Sequence, residues 1–433
     1  MFRNFLIISL RNFLRNKTYT FINISGLAVG IASATLIFLF VYDEVTFDSI
    51  HPNNEQLYEI GVSVISKNGN KESFGVVPGG WPLSLKDKFS QIESITRLGA
   101  FGFPASIHDK SVDRIVLNQD GEMYWVENNF NDILYFPLVK GNPKKALEQA
   151  NSMVISETAA QTLFGDGDPI NKQLTIRHPF ATNGMEIEYM ITGVFKDYPT
   201  NTFFRPKYLL NLNGLKAAFA TQRITYDEFL NGMDLRAGFF QTIMRLNGPA
   251  DLQSMTREAE KLADFTTRSD SGFYASGRKV IPVIKPMNET HFDEAMQWNF
   301  VNDSGSKKAV VTFAGIAILI LMIASINYMN LATARSVGRA KEVGIRKTLG
   351  SKRIELALQF IQESAMTTLL ALLLSIVLVV LLLPSFNFLT GKSFSFYSLL
   401  NPVVILAILG LTFFVTLLGG SYPAFYLSGF RPA

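Results

Sequence analysis

The chain contains no cysteine. Disulfides and thiolate metal sites are therefore excluded, and the redox state of its compartment stays open. Histidine is almost as scarce. His51, His108, His178 and His291 lie far apart and form no HxxxH or HExxH pair, which offers no metal centre. The phosphate-cradling pattern GxxxxGK[ST] occurs nowhere in the 433 residues, and the nearest cluster, "NGNKES" at 68–73, has the wrong spacing. ATP, if used, is held by a partner. There is no GxSxG elbow and no local signature of a Ser/His/Asp set. Charge is thin as well, at 18 % of residues, where soluble domains usually carry about 25 %.

What fills the space is apolar. Hydrophobic residues make up 48 % of the chain, and 36 residues are Phe. Four stretches, 18–42, 309–334, 364–384 and 402–427, are long and free of Asp, Glu, Lys and Arg. Each meets the roughly 20 residues a helix needs to cross the hydrocarbon core. The first is too long for the apolar region of a signal peptide, and its small-residue triplet Ala32-Ser33-Ala34 lies inside the run. It reads as an uncleaved anchor.

Charge orients the spans. Residues 1–17 carry Arg3, Arg11, Arg15 and Lys17 and no acid. Residues 333–363 carry seven basic residues against Glu342, Glu355 and Glu363, and Arg431 follows the last span. The loop 385–401 holds only Lys392. The positive-inside rule then predicts a multi-pass membrane protein with both termini cytoplasmic and residues 43–308 extracytoplasmic. That insert holds 33 acidic and 27 basic residues. The net charge of +4 therefore comes from the membrane-flanking stubs and gives no support to nucleic-acid binding. In 1–17, Phe2, Phe5, Leu6, Leu10, Phe13 and Leu14 recur at three- and four-residue spacing, as in an interfacial helix lying on the lipid bilayer.

The fold class that follows is an α-helical membrane protein with four transmembrane helices. A large α+β extracytoplasmic domain is inserted between the first and second. Three parts result: 1–42, 43–308 and 309–433. Within the insert, 56–66, 113–118, 172–177 and 187–198 read as strands. Residues 156–165 read as a helix with Ser156 as N-cap and a Gly stop, and 247–269 as one capped near Asp251. "FGDGDP" (164–169) lacks the ligand array of a calcium loop and reads as a turn. The spans offer only Asn23, Asn327 and Asn330 as strongly polar groups. An ion-coupled pump or a hydrophilic pore needs more.

The loop between the second and third spans, "RSVGRAKEVGIRKTLGSKRIEL" (335–356), carries a specific string: Glu342, Val343, Gly344, Ile345, Arg346, Lys347, Thr348, Leu349, Gly350. It resembles the E-[IV]-G-[IV]-[RK]-[RK]-x-[LI]-G motif of FtsX-like permeases, the membrane subunits of MacB-type ABC transporters. The closing "GGSYPAFYLSGFRP" (419–432) is similar to that family's Gly-x-x-Pro-Ala ending. "VISETAAQTLFGDGDPINKQLTI" (154–176), followed by "YMITGVFKDYPTNTFF" (189–204), is similar to the MacB-like periplasmic domain, with Asn171 where relatives more often have Gly.

The resemblance implies a permease with no catalytic site and no cofactor. It would lie in a bacterial inner membrane, sit on a separate ABC ATPase subunit and pair with a second copy or a second permease half. A periplasmic adaptor and an outer-membrane factor would join in efflux systems. The loop would form the coupling helix, with Glu342, Gly344, Ile345, Arg346, Lys347, Leu349 and Gly350 meeting the ATPase, and would pass its closure to the outer domain. Physically the loop suits this. Its glycines permit close approach, and Arg346 and Lys347 can meet carboxylates or lipid phosphates. An FtsX-like regulator of a cell-wall hydrolase and a peptide-sensing membrane subunit are alternatives. The size of residues 43–308 favours the transporter over the regulator.

Overall fold

The computed structural model describes residues 17–119, 121–220, 224–233, 238–248, 251–269, 277–293, 296–297, 305–337 and 353–429. The expected interfacial helix at 1–17 lies outside them, apart from Lys17. The principal helices are α1 Lys17–Val45, α2 Gly80–Lys88, α3 Glu157–Phe164, α4 Tyr226–Asn231, α5 Leu252–Ser269, α6 Lys307–Val337, α7 Arg353–Thr390 and α8 Pro402–Gly429. The chain divides into two compact units. Met1–Val45 joins Lys307–Ala433 in one, and Thr46–Ser306 forms the other.

The first unit is a bundle of α1, α6, α7 and α8, each long and apolar enough to cross a membrane. Its interior has two layers. Leu27, Ala28 and Ile31 of α1 pack with Leu321, Tyr328, Ala371 and Val415, and Leu36 and Leu39 pack with Val379, Leu383 and Val404. The remaining faces expose Ile318, Leu381, Leu406 and Phe413. A surface so apolar is solvated by lipid rather than water. The third apolar run ends in sequence at Pro384, yet α7 continues through it to Thr390. Packed neighbours make a proline tolerable inside a membrane helix.

The second unit is a mixed sheet with helices. Its main strands are β1 Leu57–Ile65, β2 Ile92–Gly99, β3 Ser106–Asp109, β4 Arg114–Leu117, β5 Met123–Val126, β6 Ser152–Ser156, β7 Gln173–Arg177, β8 Glu186–Phe195, β9 Tyr208–Asn211, β10 Phe239–Leu246 and β11 Lys279–Pro286. Tyr58 pairs with Pro286, Leu57 with Arg245, and Leu98 with Gln241, all antiparallel. The spatial order is therefore β11-β1-β10-β2. With α2 joining β1 to β2 and α5 joining β10 to β11, this is a split βαββαβ lobe. Trp81, Leu85, Met255 and Ala259 of the two helices seal it against Ile60, Ile95 and Met244.

Residues 100–238 are inserted between its second and third strands. They extend the sheet in the order β5-β9-β6-β8-β7-β3-β4 and bury a core around Trp125, Ile155, Tyr189 and Leu210. Trp125 Nε1 donates to Tyr189 Oη at 3.1 Å, which satisfies the indole inside that core.

The local expectations are met for local reasons. Ser156 Oγ accepts from Ala159 N at 3.1 Å to start α3. Asp251 Oδ1 accepts from Ser254 N at 3.0 Å to start α5. Gly167 N donates to Phe164 O at 3.0 Å, closing the Phe164–Pro169 turn. Asn171 has φ +63°. That left-handed conformation costs glycine nothing and suits Asn better than other side chains, so the departure from the family pattern fits the backbone.

Candidate functional site: the helix bundle and its clasp

Glu342, Gly344, Ile345, Arg346, Lys347, Leu349 and Gly350 lie outside the described residues. What is described are the helices that deliver them. α6 runs 31 residues without a break, from Lys307 to Val337, about 46 Å at 1.5 Å per residue. α7 resumes at Arg353. The loop therefore joins the end of one long helix to the start of another, and the first of these starts directly after the α+β unit in sequence.

Toward the loop end of the bundle, the helices are held by close approach and short polar contacts. Tyr328 of α6 is buried and donates to Ser364 Oγ of α7 at 3.0 Å. Gly419 of α8 faces the same ring, and a Cβ there would lie 2.2 Å from Tyr328 Cδ1. The Gly-Gly of the closing motif is thus the seat of an aromatic ring. Thr368 and Thr416 share a hydroxyl hydrogen bond of 2.6 Å between α7 and α8. Small residues let helices meet this closely without a hydrophobic driving force from lipid.

α1 uses the same device. A Cβ on Gly30 would sit 2.7 Å from Ala324 Cβ of α6. Sequence reasoning missed this contact, although "GLAVG" (26–30) carries the Gly-x-x-x-Gly signal that marks such a face. Of the three polar residues noted in the spans, Asn23 is buried, with both amide atoms lacking a hydrogen-bond partner among the described residues.

At the other end of the bundle lies a charge cluster. Lys392, the sole charge of the loop between α7 and α8, is nearly buried. Its Nζ lies 2.8 Å from Asp43 Oδ2 and 2.6 Å from Glu44 Oε1, in the last turn of α1. Burial pushes the ammonium pKa down, but the two carboxylates outweigh it and hold the group above its ordinary value. Asn387 positions the loop, donating to Phe394 O at 2.7 Å and accepting from Phe394 N at 3.0 Å.

Just beyond α1, the α+β unit buries polar groups of its own. Asp48 Oδ1 accepts from Thr202 Oγ1 at 2.7 Å and from Phe203 N at 2.8 Å. His51 Nδ1 accepts from Tyr135 N at 3.2 Å, and Nε2 lies 3.2 Å from Thr202 Oγ1. These partners fix a neutral imidazole that donates through Nε2. Burial pushes the Asp48 carboxyl up to about 6 and the His51 imidazole down to about 4. Glu59 on β1 accepts from Gln241 Nε2 at 2.9 Å, and burial pushes it up to about 8 despite that bond. Among the described residues, no group of three His, Asp or Glu could hold a metal ion.

Four apolar helices with an α+β domain between the first and second define a membrane permease of a particular build. Residues 20–262 match the MacB-like periplasmic core domain, and residues 314–432 match the FtsX-like permease C-terminal region. The chain belongs to the MacB/FtsX-like family of ABC transporter permeases.

Among its relatives is the macrolide export ATP-binding/permease protein MacB of Bdellovibrio bacteriovorus, 29 % identical over 279 residues, 64 % of this chain and 37 % of that protein. The protein of the same name from Pasteurella multocida is 30 % identical over 319 residues, 72 % of this chain and 42 % of that one. The chain thus spans less than half the length of these two relatives. The crystal structure of the periplasmic region of MacB from Actinobacillus actinomycetemcomitans matches 53 % of this chain and 89 % of its own, at 11 % identity and a TM-score of 0.31.

Proposed function

We propose that the chain is the permease subunit of an ABC transporter in a bacterial inner membrane. In this reading it couples hydrolysis by a separate ATPase to movements of its α+β domain, with both termini and the loop 335–356 on the cytoplasmic side. The observation that carries the reading is the Glu342–Gly350 string, placed between two long helices in a chain with no phosphate loop of its own. Glu342 and Arg346 supply charge-assisted hydrogen bonds to the ATPase groove. Ile345 and Leu349 fill an apolar notch, and Gly344 and Gly350 allow the backbone to approach.

Closure of the ATPase moves the loop, and the helix ends move with it. Because α6 and α1 are continuous with the α+β domain, displacement at the loop is delivered there as force. Spans without charged residues at membrane depth suit such a relay better than an aqueous tunnel. A second copy, or a second permease half, completes the assembly, with a periplasmic adaptor and an outer-membrane factor as further partners.

Co-purification from native membranes tests the reading. The wild-type chain brings down an ABC ATPase and stimulates its hydrolysis. The variant carrying Glu342→Ala, Arg346→Ala and Leu349→Ala inserts normally but loses that stimulation. Unchanged stimulation would falsify the coupling role.

A further inference from the structure

The α+β unit contains a cleft of about 350 Å³ where its two lobes meet. Leu83 and Lys86 line it from α2 of the split lobe, Glu127 to Asn129 from the segment after β5, Leu212 and Asn213 from the turn after β9, and Leu230 from α4. The chain beside it is closely packed. Gly79 and Gly80 pass so near α4 that a Cβ on Gly79 would lie 2.0 Å from Leu230 O. Buried Arg97 donates to Gly79 O at 3.0 Å, to Leu230 O at 2.6 Å and to Asn231 Oδ1 at 3.0 Å. It also pairs with Glu127 Oε1 at 2.6 Å, while its backbone N–H donates to Glu127 Oε2 at 2.9 Å. Both oxygens of Glu127 are engaged and its charge is compensated.

The cleft's spare valences are specific. Asn211 Nδ2 occupies Asn128 Oδ1 at 2.7 Å, so Asn128 keeps its amide N–H groups for a ligand. Tyr226 Oη donates to Leu212 O at 3.0 Å and also lies 3.3 Å from Asn213 Oδ1, and no acceptor engages the Asn213 amide N–H groups among the described residues. Asn129 donates to Ile95 O at 2.8 Å, and its Oδ1 is buried from solvent, so it offers the cleft no acceptor. Lys86 has no acid at ion-pair distance among the described residues.

Two sets of amide donors, a cation and three leucines therefore line one cleft. Among the described residues no aromatic ring lines the cleft, so they offer no flat stacking surface of the kind on which bases bind. Amide donors complement the carbonyl oxygens of a peptide main chain, the leucines complement an aliphatic side chain, and Lys86 complements a carboxylate.

We propose that this cleft binds a short extended peptide segment bearing an aliphatic side chain and a carboxylate. The volume is at the small end of ligand sites, which run from about 300 to 1,000 Å³, and fits a few residues rather than a folded partner. A segment seated there touches both lobes at once. The proposal goes beyond the coupling reading and stands whether or not the loop docks on an ATPase.

The test uses the full chain in lipid nanodiscs and fluorescein-labelled Gly-Gly-Leu, with its C-terminal carboxylate either free or amidated. Anisotropy shows saturable binding of both forms, tighter for the free acid. Asn128→Ala and Asn213→Ala each weaken binding by about 2- to 12-fold, the range for one lost hydrogen bond. Lys86→Met, a surface change that leaves folding intact, abolishes the preference for acid over amide, and Lys144→Met on a remote loop leaves it unchanged. Absence of binding by either peptide overturns the proposal. So does an acid preference that survives Lys86→Met, or displacement of the peptide by an equal concentration of maltotriose.

Discussion

Lys392 Nζ lies 2.6 Å from Glu44 Oε1, joining the loop after the third membrane helix to the end of the first. The contact closes the bundle at the point where α1 hands the chain to the α+β unit. Removing one partner of a buried ion pair leaves an uncompensated charge, which typically costs about 3–5 kcal/mol. Lys392→Met removes the cation that faces two carboxylates and is expected to lower the unfolding midpoint in detergent clearly. Adding Asp43→Asn and Glu44→Gln to it recovers most of the loss, because the two carboxylates no longer face each other without the cation between them. A triple variant no more stable than Lys392→Met would place the effect in packing instead of charge.

Gly419 and Tyr328 make a second prediction. A Cβ at 419 meets the ring at 2.2 Å, which forces α8 away from α6. Gly419→Leu is expected to destabilise the bundle by about 1–3 kcal/mol, the usual cost of overpacking. Tyr328→Ala relieves the clash, so the two changes are less than additive in a double-mutant cycle. Strict additivity, read from thermal unfolding, contradicts the contact.

Glu59 gives the α+β unit a pH dependence of stated sign. The folded chain keeps this carboxyl protonated up to about pH 8, whereas its ordinary value is 4.5. Between those limits the folded state binds the extra proton, so stability falls as pH rises. His51 and Asp48, shifted to about 4 and about 6, oppose one another at lower pH. The window from about pH 6.5 to 8 therefore isolates Glu59. Glu59→Gln keeps an acceptor for Gln241 and removes the decline there. Parallel stability curves for the two proteins from pH 6.5 to 8 count against this assignment.

Asn171 offers a test of backbone strain alone. At φ +63°, Asn171→Gly is expected to be neutral or slightly stabilising. Asn171→Val, β-branched and ill-suited to that region, costs about 1–2 kcal/mol. Equal midpoints for the two variants remove the strain argument.

Orientation can be read chemically because the chain has no cysteine to confuse the signal. With Asp120→Cys and Lys347→Cys, a membrane-impermeant maleimide labels position 120 in intact cells and position 347 only after permeabilisation. The reverse pattern refutes the proposed topology.

The coarse architecture was legible because its signals are local or purely compositional. A charge-free run of 20 residues can do little but enter lipid, and Ser156 caps α3 through an atom three residues away. Other features were hidden by distance along the chain. The split lobe cannot be read where 100–238 separates β2 from β10. The Asp48–Thr202–His51 contacts join segments more than a hundred residues apart. The Gly26–Gly30 face was visible in principle, but only to a reader looking for helix contacts within the span.

By itself, then, the amino-acid order determined how many times the chain can enter a bilayer, where its helices start, and which loop carries the family's motif. Each follows from the solvation of consecutive residues. Only the tertiary structure decided that Lys392 would bridge Asp43 and Glu44, that Gly419 would seat Tyr328, and that Asn128 and Asn213 would line one cleft. Those outcomes depend on which surfaces meet, and burial makes their polar and steric terms large only after the surfaces have met.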